Sequence, residues 1–142
     1  MRSPSFPATK LSVEFLKELF YLRPHPSSPG LVSAITNHHL SVLGVLAKKL
    51  NATESNITVV RVVEALLQDR GQLHRALLEL EEQVAALRKE PSNKDWALRE
   101  FDRKRSALDE KLRGNMRNIE IKLQEIVTAL TRSDEAETAY LH

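Results

Sequence analysis

Histidine is the residue type in this sequence that is best suited to metal binding or acid–base chemistry. A metal site on one helix needs two ligands three or four residues apart, so that both side chains lie on the same face. No histidine here has another histidine or a carboxylate at either distance in such an arrangement, and neighbouring histidines on a helix point about 100° apart. We therefore expect no metal site. The five histidines are His25, His38, His39, His74 and His142.

Other catalytic patterns are also missing from the sequence. The chain contains no cysteine, which excludes thiolate nucleophiles, disulfides and cysteine-based zinc sites. It lacks a glycine-rich phosphate loop, a nucleophile elbow and a paired-carboxylate motif. The sequence thus predicts a protein that is not an enzyme and needs no cofactor, with no catalytic, cofactor-binding or metal-binding residues.

The strongest pattern in the chain is a stripe of residues spaced alternately four and three apart, which marks one side of a long helix. Its nine positions are Val59, Val63, Leu66, Arg70, Leu73, Leu77, Leu80, Val84 and Leu87. A second stripe follows Pro91 and contains Phe101, Leu108, Leu112, Met116, Ile119, Leu123, Ile126 and Leu130. Because a short turn at Pro91 reverses the chain, the two stripes are predicted to pack as an antiparallel pair.

Two shorter helices are predicted before this pair. Apolar residues at helical spacing indicate the first over residues 11–22, and Ser28 followed by Pro29 indicates the start of the second. Gly44 weakens the second helix, so we expect it to break near residue 40. The long helices are expected over residues 55–90 and 93–136.

These elements define an all-α fold class, in which two N-terminal helices pack on a long antiparallel helical hairpin that projects as a coiled-coil arm. A composition of 42% hydrophobic and 28% charged residues, with only four glycines, agrees with a folded helical protein. We divide the chain into a flexible arm over residues 1–10, an N-terminal helical region over 11–70, and an antiparallel coiled-coil hairpin over 71–138.

Charged residues on the two long helices are arranged to match each other. In the antiparallel register an acidic block lies near a basic block, namely Glu79, Glu81 and Glu82 near Arg103, Lys104 and Arg105. Exposed pairs of this kind contribute ~0–1 kcal/mol each, so they select the register rather than provide stability. Arg70 interrupts the apolar stripe, and we expect it to meet Asp69, Glu64 or a carboxylate of a partner.

Two apolar stripes joined by a short turn are typical of proteins that assemble through helices, although they can also satisfy each other within one chain. We therefore predict a non-catalytic scaffold or accessory subunit that binds other helical proteins or associates with itself, and no membrane partner. The predicted partner-binding residues are Leu73, Leu77, Leu80, Leu87, Leu112, Leu123 and Leu130, with Trp96 and Phe101 as anchors near the turn.

An alternative function comes from residues 46–60, which resemble the helix-turn-helix signature. Ala47 occupies the position where the two helices touch, and Asn51 occupies the turn. The resemblance implies a dimeric DNA-binding protein, although this segment has Ala52 where the family usually has valine or isoleucine. The side chains that would face the duplex are Lys48, Lys49, Asn56, Thr58 and Arg61.

The expected location is intracellular, in the cytoplasm or the nucleus. The longest apolar stretch, over residues 40–47, is short of the ~20 residues of a membrane span, and the chain does not open on a signal-peptide pattern. Import into an organelle stays open, because residues 1–13 carry Arg2 and Lys10 and no acid.

Overall fold

A computed structural model describes residues 16, 20, 27–91 and 94–141, with side chains up to residue 132. These residues form three helices: α1 spans Pro29–Ala47, α2 spans Glu54–Arg88 and α3 spans Asp95–Leu141. No strand occurs in the ranges described, and the all-α prediction is confirmed. Leu16 and Phe20 are also helical, whereas the rest of the predicted helix 11–22 and the predicted arm 1–10 lie outside the described residues.

Helix α1 begins where the local sequence predicts. The Ser28 hydroxyl accepts a hydrogen bond from the Leu31 N–H at 3.2 Å, and Pro29 occupies the first turn. The predicted break near residue 40 is wrong, because α1 continues unbroken to Ala47. A glycine in a helix interior costs only about 1 kcal/mol, and burial of Leu43 and Leu46 on α1 outweighs it.

Side chains also fix the two ends of α2. The Thr53 hydroxyl accepts from the Asn56 N–H at 3.1 Å, so Thr53 is the N-cap. At the other end, the Lys94 ammonium donates to the carbonyls of Arg88 and Glu90 at 2.6 and 2.5 Å. A cation at this position satisfies open carbonyls and complements the helix dipole, which stabilises the turn that leads into α3.

Helix α2 packs against α1 on one side and against α3 on another. The contacts between α2 and α3 run in antiparallel order, since Asn115 donates from Nδ2 to the Leu66 carbonyl at 2.9 Å while Phe101 lies beside Leu80 and Val84. The buried core lies at the end of these helices away from their turn. It contains Leu16, Phe20, Leu43, Leu46, Val63, Leu67, Ile119, Leu123, Ile126 and Leu130.

Helix α1 lies very close to α2 at Gly71, which is buried. A Cβ atom added at Gly71 would lie 2.8 Å from the Thr36 hydroxyl oxygen. Any side chain at this position would therefore push the two helices apart or force Thr36 to move. Glycine is present here because the helices leave no room for a larger residue.

Candidate interaction surface

Between the core and the turn, α2 and α3 pack on each other and leave a groove that we call the Ala107 groove. Its volume is about 320 Å³, and residues of these two helices line it. No described residue of α1 takes part. From α2 the lining residues are Ala76, Glu79, Leu80 and Gln83, and from α3 they are Lys104, Ala107, Leu108 and Lys111.

A second groove, the Phe101 groove, lies on the other side of the α2–α3 contact. Its lining residues are Leu80, Glu81, Val84, Ala85, Arg88, Phe101, Asp102 and Arg105. Leu80 lines both grooves, which places it between them. Glu81 and Arg105 continue from the Phe101 groove into a third cavity that Ser27 also lines. Because Ser27 precedes α1 directly, the Phe101 groove is on the α1 side and the Ala107 groove is on the side that the described N-terminal residues leave uncovered.

The charges around the Ala107 groove are divided between its two edges. Glu79 lies on the α2 edge, and Lys104 and Lys111 lie on the α3 edge. The acidic and basic blocks noted in the sequence thus line shared grooves, but no ion pair joins them in the part of the chain described. The two ion pairs found in that part are local ones, Arg103 with Glu100 at 3.3 Å and Lys122 with Glu125 at 3.0 Å.

The nine predicted partner-binding residues differ in their exposure. Those buried in the chain's own interior are Leu80, Leu112, Leu123 and Leu130, and those half-buried are Leu73, Leu77, Leu87 and Phe101. Trp96 alone among the nine is strongly exposed, at 74%. The buried leucines therefore pack within the chain itself, whereas Trp96 is exposed to solvent.

The outer side of α3 carries further exposed residues that the sequence analysis did not select. Ala107 is exposed, a Cβ at Gly114 would meet nothing within 4 Å, and Ile121 is 53% exposed. These residues are seven apart, and Trp96 precedes Ala107 by eleven residues, so all four lie on nearly the same side of the helix. The spacing was visible in the sequence, but small residues give no apolar signal.

A buried polar cluster joins α1, α2 and Phe20. The Arg70 guanidinium, only 2% exposed, donates to the Phe20 carbonyl at 2.8 Å and to His39 Nδ1 at 2.5 Å. The predicted pairing of Arg70 with Asp69 or Glu64 is therefore wrong. Asp69 and Glu64 point to solvent, whereas Arg70 points into the core between three segments.

Burial determines the charges in this cluster. Desolvation, followed by the charge of Arg70 and then that of His38, lowers the pKa of His39 from 6.5 to about 4. Burial also lowers the pKa of Arg70 to about 10. At neutral pH His39 is therefore neutral and accepts at Nδ1, while Arg70 is charged. Neither group changes protonation near pH 7.

The helix-turn-helix segment has a different geometry from the one that the resemblance implies. Residues 48–53 connect α1 to α2, a connection of six residues, whereas the motif uses three or four. Asn56 donates from Nδ2 to the Asn51 carbonyl at 2.9 Å, and the Thr58 hydroxyl donates to the Glu54 carbonyl at 2.8 Å. Two of the five predicted DNA-binding side chains are thus engaged within the segment, while Lys48, Lys49 and Arg61 remain exposed.

The described residues contain no metal cluster and one helix that is apolar enough to span a membrane. Within the described ranges, no three histidine, aspartate or glutamate side chains lie close enough to hold a metal ion. In the same ranges, α1 is the one helix that is long and apolar enough to cross a membrane by length and composition. Packed helices of soluble proteins and signal sequences are also long and apolar, so the intracellular location stays a prediction. The absence of a cofactor likewise stays a prediction.

No family model, curated protein or solved structure matches this chain.

Proposed function

We propose that this chain is a non-catalytic helical scaffold or accessory subunit that assembles with other helical proteins in a larger complex. In this proposal α2 and α3 form an antiparallel hairpin whose part near the turn is a coiled-coil arm, and a partner helix lies along the side that carries the Ala107 groove. The antiparallel order of contacts and the half-buried leucines of α2 support this architecture.

One observation carries the proposal, namely that apolar side chains are exposed beside a groove that no other described element covers. Trp96 is 74% exposed and Ile121 is 53% exposed, both on the side of α3 that carries Ala107. Tryptophan is enriched at protein interfaces because it combines a large apolar area with a polar N–H group. Its exposure here is explained by a partner that covers it.

The test uses the full-length chain with a tag, expressed in its native source at its normal level, and identification of the proteins that co-purify in fixed ratio. Replacing Trp96 with alanine together with Ile121 by serine should remove those proteins without changing the unfolding free energy. The matched control is Val45→Ser, because Val45 is 50% exposed but lies on α1. Proteins retained equally by the double variant, or a wild-type chain that purifies alone, would overturn the proposal.

The structure gives the DNA-binding alternative little support, because Asn56 and Thr58 form hydrogen bonds within their own segment. The exposed side chains that remain for DNA are Lys48, Lys49 and Arg61. A titration of the chain against duplex DNA at increasing salt separates the two functions. A DNA-binding protein shows affinity that falls steeply as salt rises, since phosphate contacts release counterions. A scaffold shows at most weak binding at low salt.

A further inference from the structure

We propose that the first helical partner on the Ala107 side is a second copy of this chain. The two α2–α3 pairs stack face to face with their turns at the same end, so that α2 of one copy lies over α3 of the other. This inference rests on the proposed function because it names a partner for the same surface. It commits to a symmetric dimer, which the scaffold function alone does not require.

The distribution of charge around the groove supports a second copy. Glu79 belongs to the α2 edge, and Lys104 and Lys111 belong to the α3 edge. The contacts of Phe101 with Leu80 and Val84 and of Asn115 with Leu66 place Glu79 at about the height of Lys104, and Lys111 lies about 10 Å farther from the turn. A copy related by a two-fold axis parallel to the helices brings its Glu79 over Lys104, and brings its own Lys104 over Glu79. The surface is therefore complementary to itself.

The same charges disfavour the other two-fold arrangement that is centred on the groove. An axis perpendicular to the helices at the height of Glu79 and Lys104 would place α2 over α2 and α3 over α3, which brings glutamate to glutamate and lysine to lysine. Like charges placed opposite each other in an interface are strongly unfavourable. None of these three side chains has an ion pair within the described part of the chain. The Lys104 ammonium lies 5.7 Å from the centre of the Phe101 ring, and a glutamate of a second copy would add a charge of opposite sign beside it.

The shape and area of the surface also suit a dimer. Ala76, Ala107 and Gly114 are small, so the backbones of a second helix pair can approach closely, and Ile121 projects toward the partner. Helix α2 has 35 residues, which gives a length of about 50 Å, and two packed helices are about 20 Å wide. One face then offers roughly 1,000 Å² per copy, which is in the range of a stable interface.

The first test exchanges the charges between two variants. Glu79→Lys leaves only cations at each contact of a homodimer, and Lys104→Glu with Lys111→Glu leaves only anions there. Each variant alone should dimerise at least about tenfold more weakly than the wild type in analytical ultracentrifugation. Mixing the two variants restores opposite charges at both contacts, so the mixture should recover wild-type affinity. A change within one chain cannot be repaired by mixing, which makes the recovery specific to the interface.

The second test blocks the groove and leaves the fold intact. Ala107→Arg introduces a large cation into the groove at an exposed position, and should abolish dimerisation without changing the thermal unfolding. The matched control is Ala85→Arg, because Ala85 is an exposed alanine that lines the Phe101 groove on the opposite side. This control should dimerise like the wild type. Loss of dimer in both variants, or in neither, would overturn the proposed face.

The third test reads the orientation of the two copies. The chain has no cysteine, so Ser55→Cys creates a single labelling site at the exposed start of α2. Electron–electron distance measurements on the spin-labelled dimer should give a short distance, about 20 to 30 Å, when the turns lie at the same end. The opposite orientation about the groove would separate the labels by about 70 Å. The longer distance would refute the stacking that we propose.

These outcomes separate the dimer from the scaffold function. A wild-type chain that is monomeric at every concentration, and whose mixed charge variants also stay monomeric, overturns the dimer. If that monomer still captures other helical proteins through Trp96 and Ile121, the scaffold function stands with a different partner. A dimer that captures nothing else supports the second copy and leaves the scaffold function without its larger complex.

Discussion

Replacing Gly71 with alanine is expected to destabilise this fold, although alanine is the better helix former. Alanine in place of glycine inside a helix gains about 1 kcal/mol. The added Cβ, however, would lie 2.8 Å from the Thr36 hydroxyl oxygen, which is shorter than any normal contact. Overpacking of this kind costs about 1 to 3 kcal/mol. We therefore expect a net loss of about 1 kcal/mol in the free energy of unfolding.

A second substitution isolates the contact between α1 and α2. In a Thr36→Ala background the hydroxyl is absent, and the nearest remaining atom, the Cβ of residue 36, lies at the ordinary distance of 3.8 Å. Gly71→Ala should then stabilise the chain by about 1 kcal/mol, because only the helix propensity remains. The two substitutions are thus coupled by about 2 kcal/mol.

The assay is urea unfolding followed by circular dichroism on the four chains of this cycle. Gly44→Ala provides the control, since Gly44 is inside α1 and a Cβ there meets nothing within 4 Å. It should stabilise the chain by about 1 kcal/mol with or without Thr36. If Gly71→Ala stabilises the wild-type chain as Gly44→Ala does, then α1 does not approach α2 at Gly71 and the packing that we describe is incorrect.

Two further predictions concern buried polar groups. The pKa of His39 is 6.5 in the unfolded chain and about 4 in the folded chain, so between these pH values the unfolded chain binds one more proton. The free energy of unfolding should therefore fall by roughly 3 kcal/mol as the pH drops from 6.5 to 4. Unfolding at a series of pH values should show this fall in the wild type but not in His39→Gln, and parallel curves for the two chains would contradict it. Asn115→Leu should raise the free energy of unfolding by about 1 kcal/mol, since the buried Asn115 Oδ1 has no hydrogen-bond partner among the described residues. If thermal unfolding shows instead that the variant is less stable, then the hydrogen bond from Asn115 Nδ2 to the Leu66 carbonyl contributes more than the unpaired oxygen costs.

The helix boundaries could be predicted from the sequence because the chemistry that sets them is local. Ser28 and Pro29 mark the start of α1 within a few residues, and the capping bond lies where those residues place it. The sequence predicts that α2 starts near Ser55, whereas the structure has Thr53 as the N-cap. Threonine and serine are both good N-caps, and hydrophobic periodicity does not distinguish between them. The break expected at residue 40 failed because propensity is weaker than packing.

The partners of Arg70 could not be predicted, because they are distant in sequence and unmarked by residue type. Periodicity correctly placed Arg70 on the packed side of α2, but it does not say which atoms of other segments face that side. One acceptor is the backbone carbonyl of Phe20, fifty residues away, and a carbonyl carries no sequence signal. The other is His39 Nδ1, which accepts only because burial keeps the imidazole neutral.

Apolar periodicity marks any packed surface, whether inside one chain or between chains. The leucines of the two apolar stripes could therefore be predicted to bind a partner, although they also fit packing within the chain. The structure buries Leu80, Leu112 and Leu123 against the chain's own helices. A charged substitution at Leu80 would therefore lose a partner simply because the chain unfolds, and the result would say nothing about assembly. Exposed positions such as Ala107 and Trp96 do not share this problem, since changing them leaves the core intact.

One surface cannot serve both packing and assembly, so the residues that select a partner must differ from those that hold α2 and α3 together. On the Ala107 side the selective groups are charges and small residues, which contribute little to burial within one chain. Their effect depends on what is placed opposite them, and for Glu79, Lys104 and Lys111 the opposite edge of an identical copy carries the required charges. Specificity would then arise from symmetry, since the same three residues recognise each other across the two-fold axis.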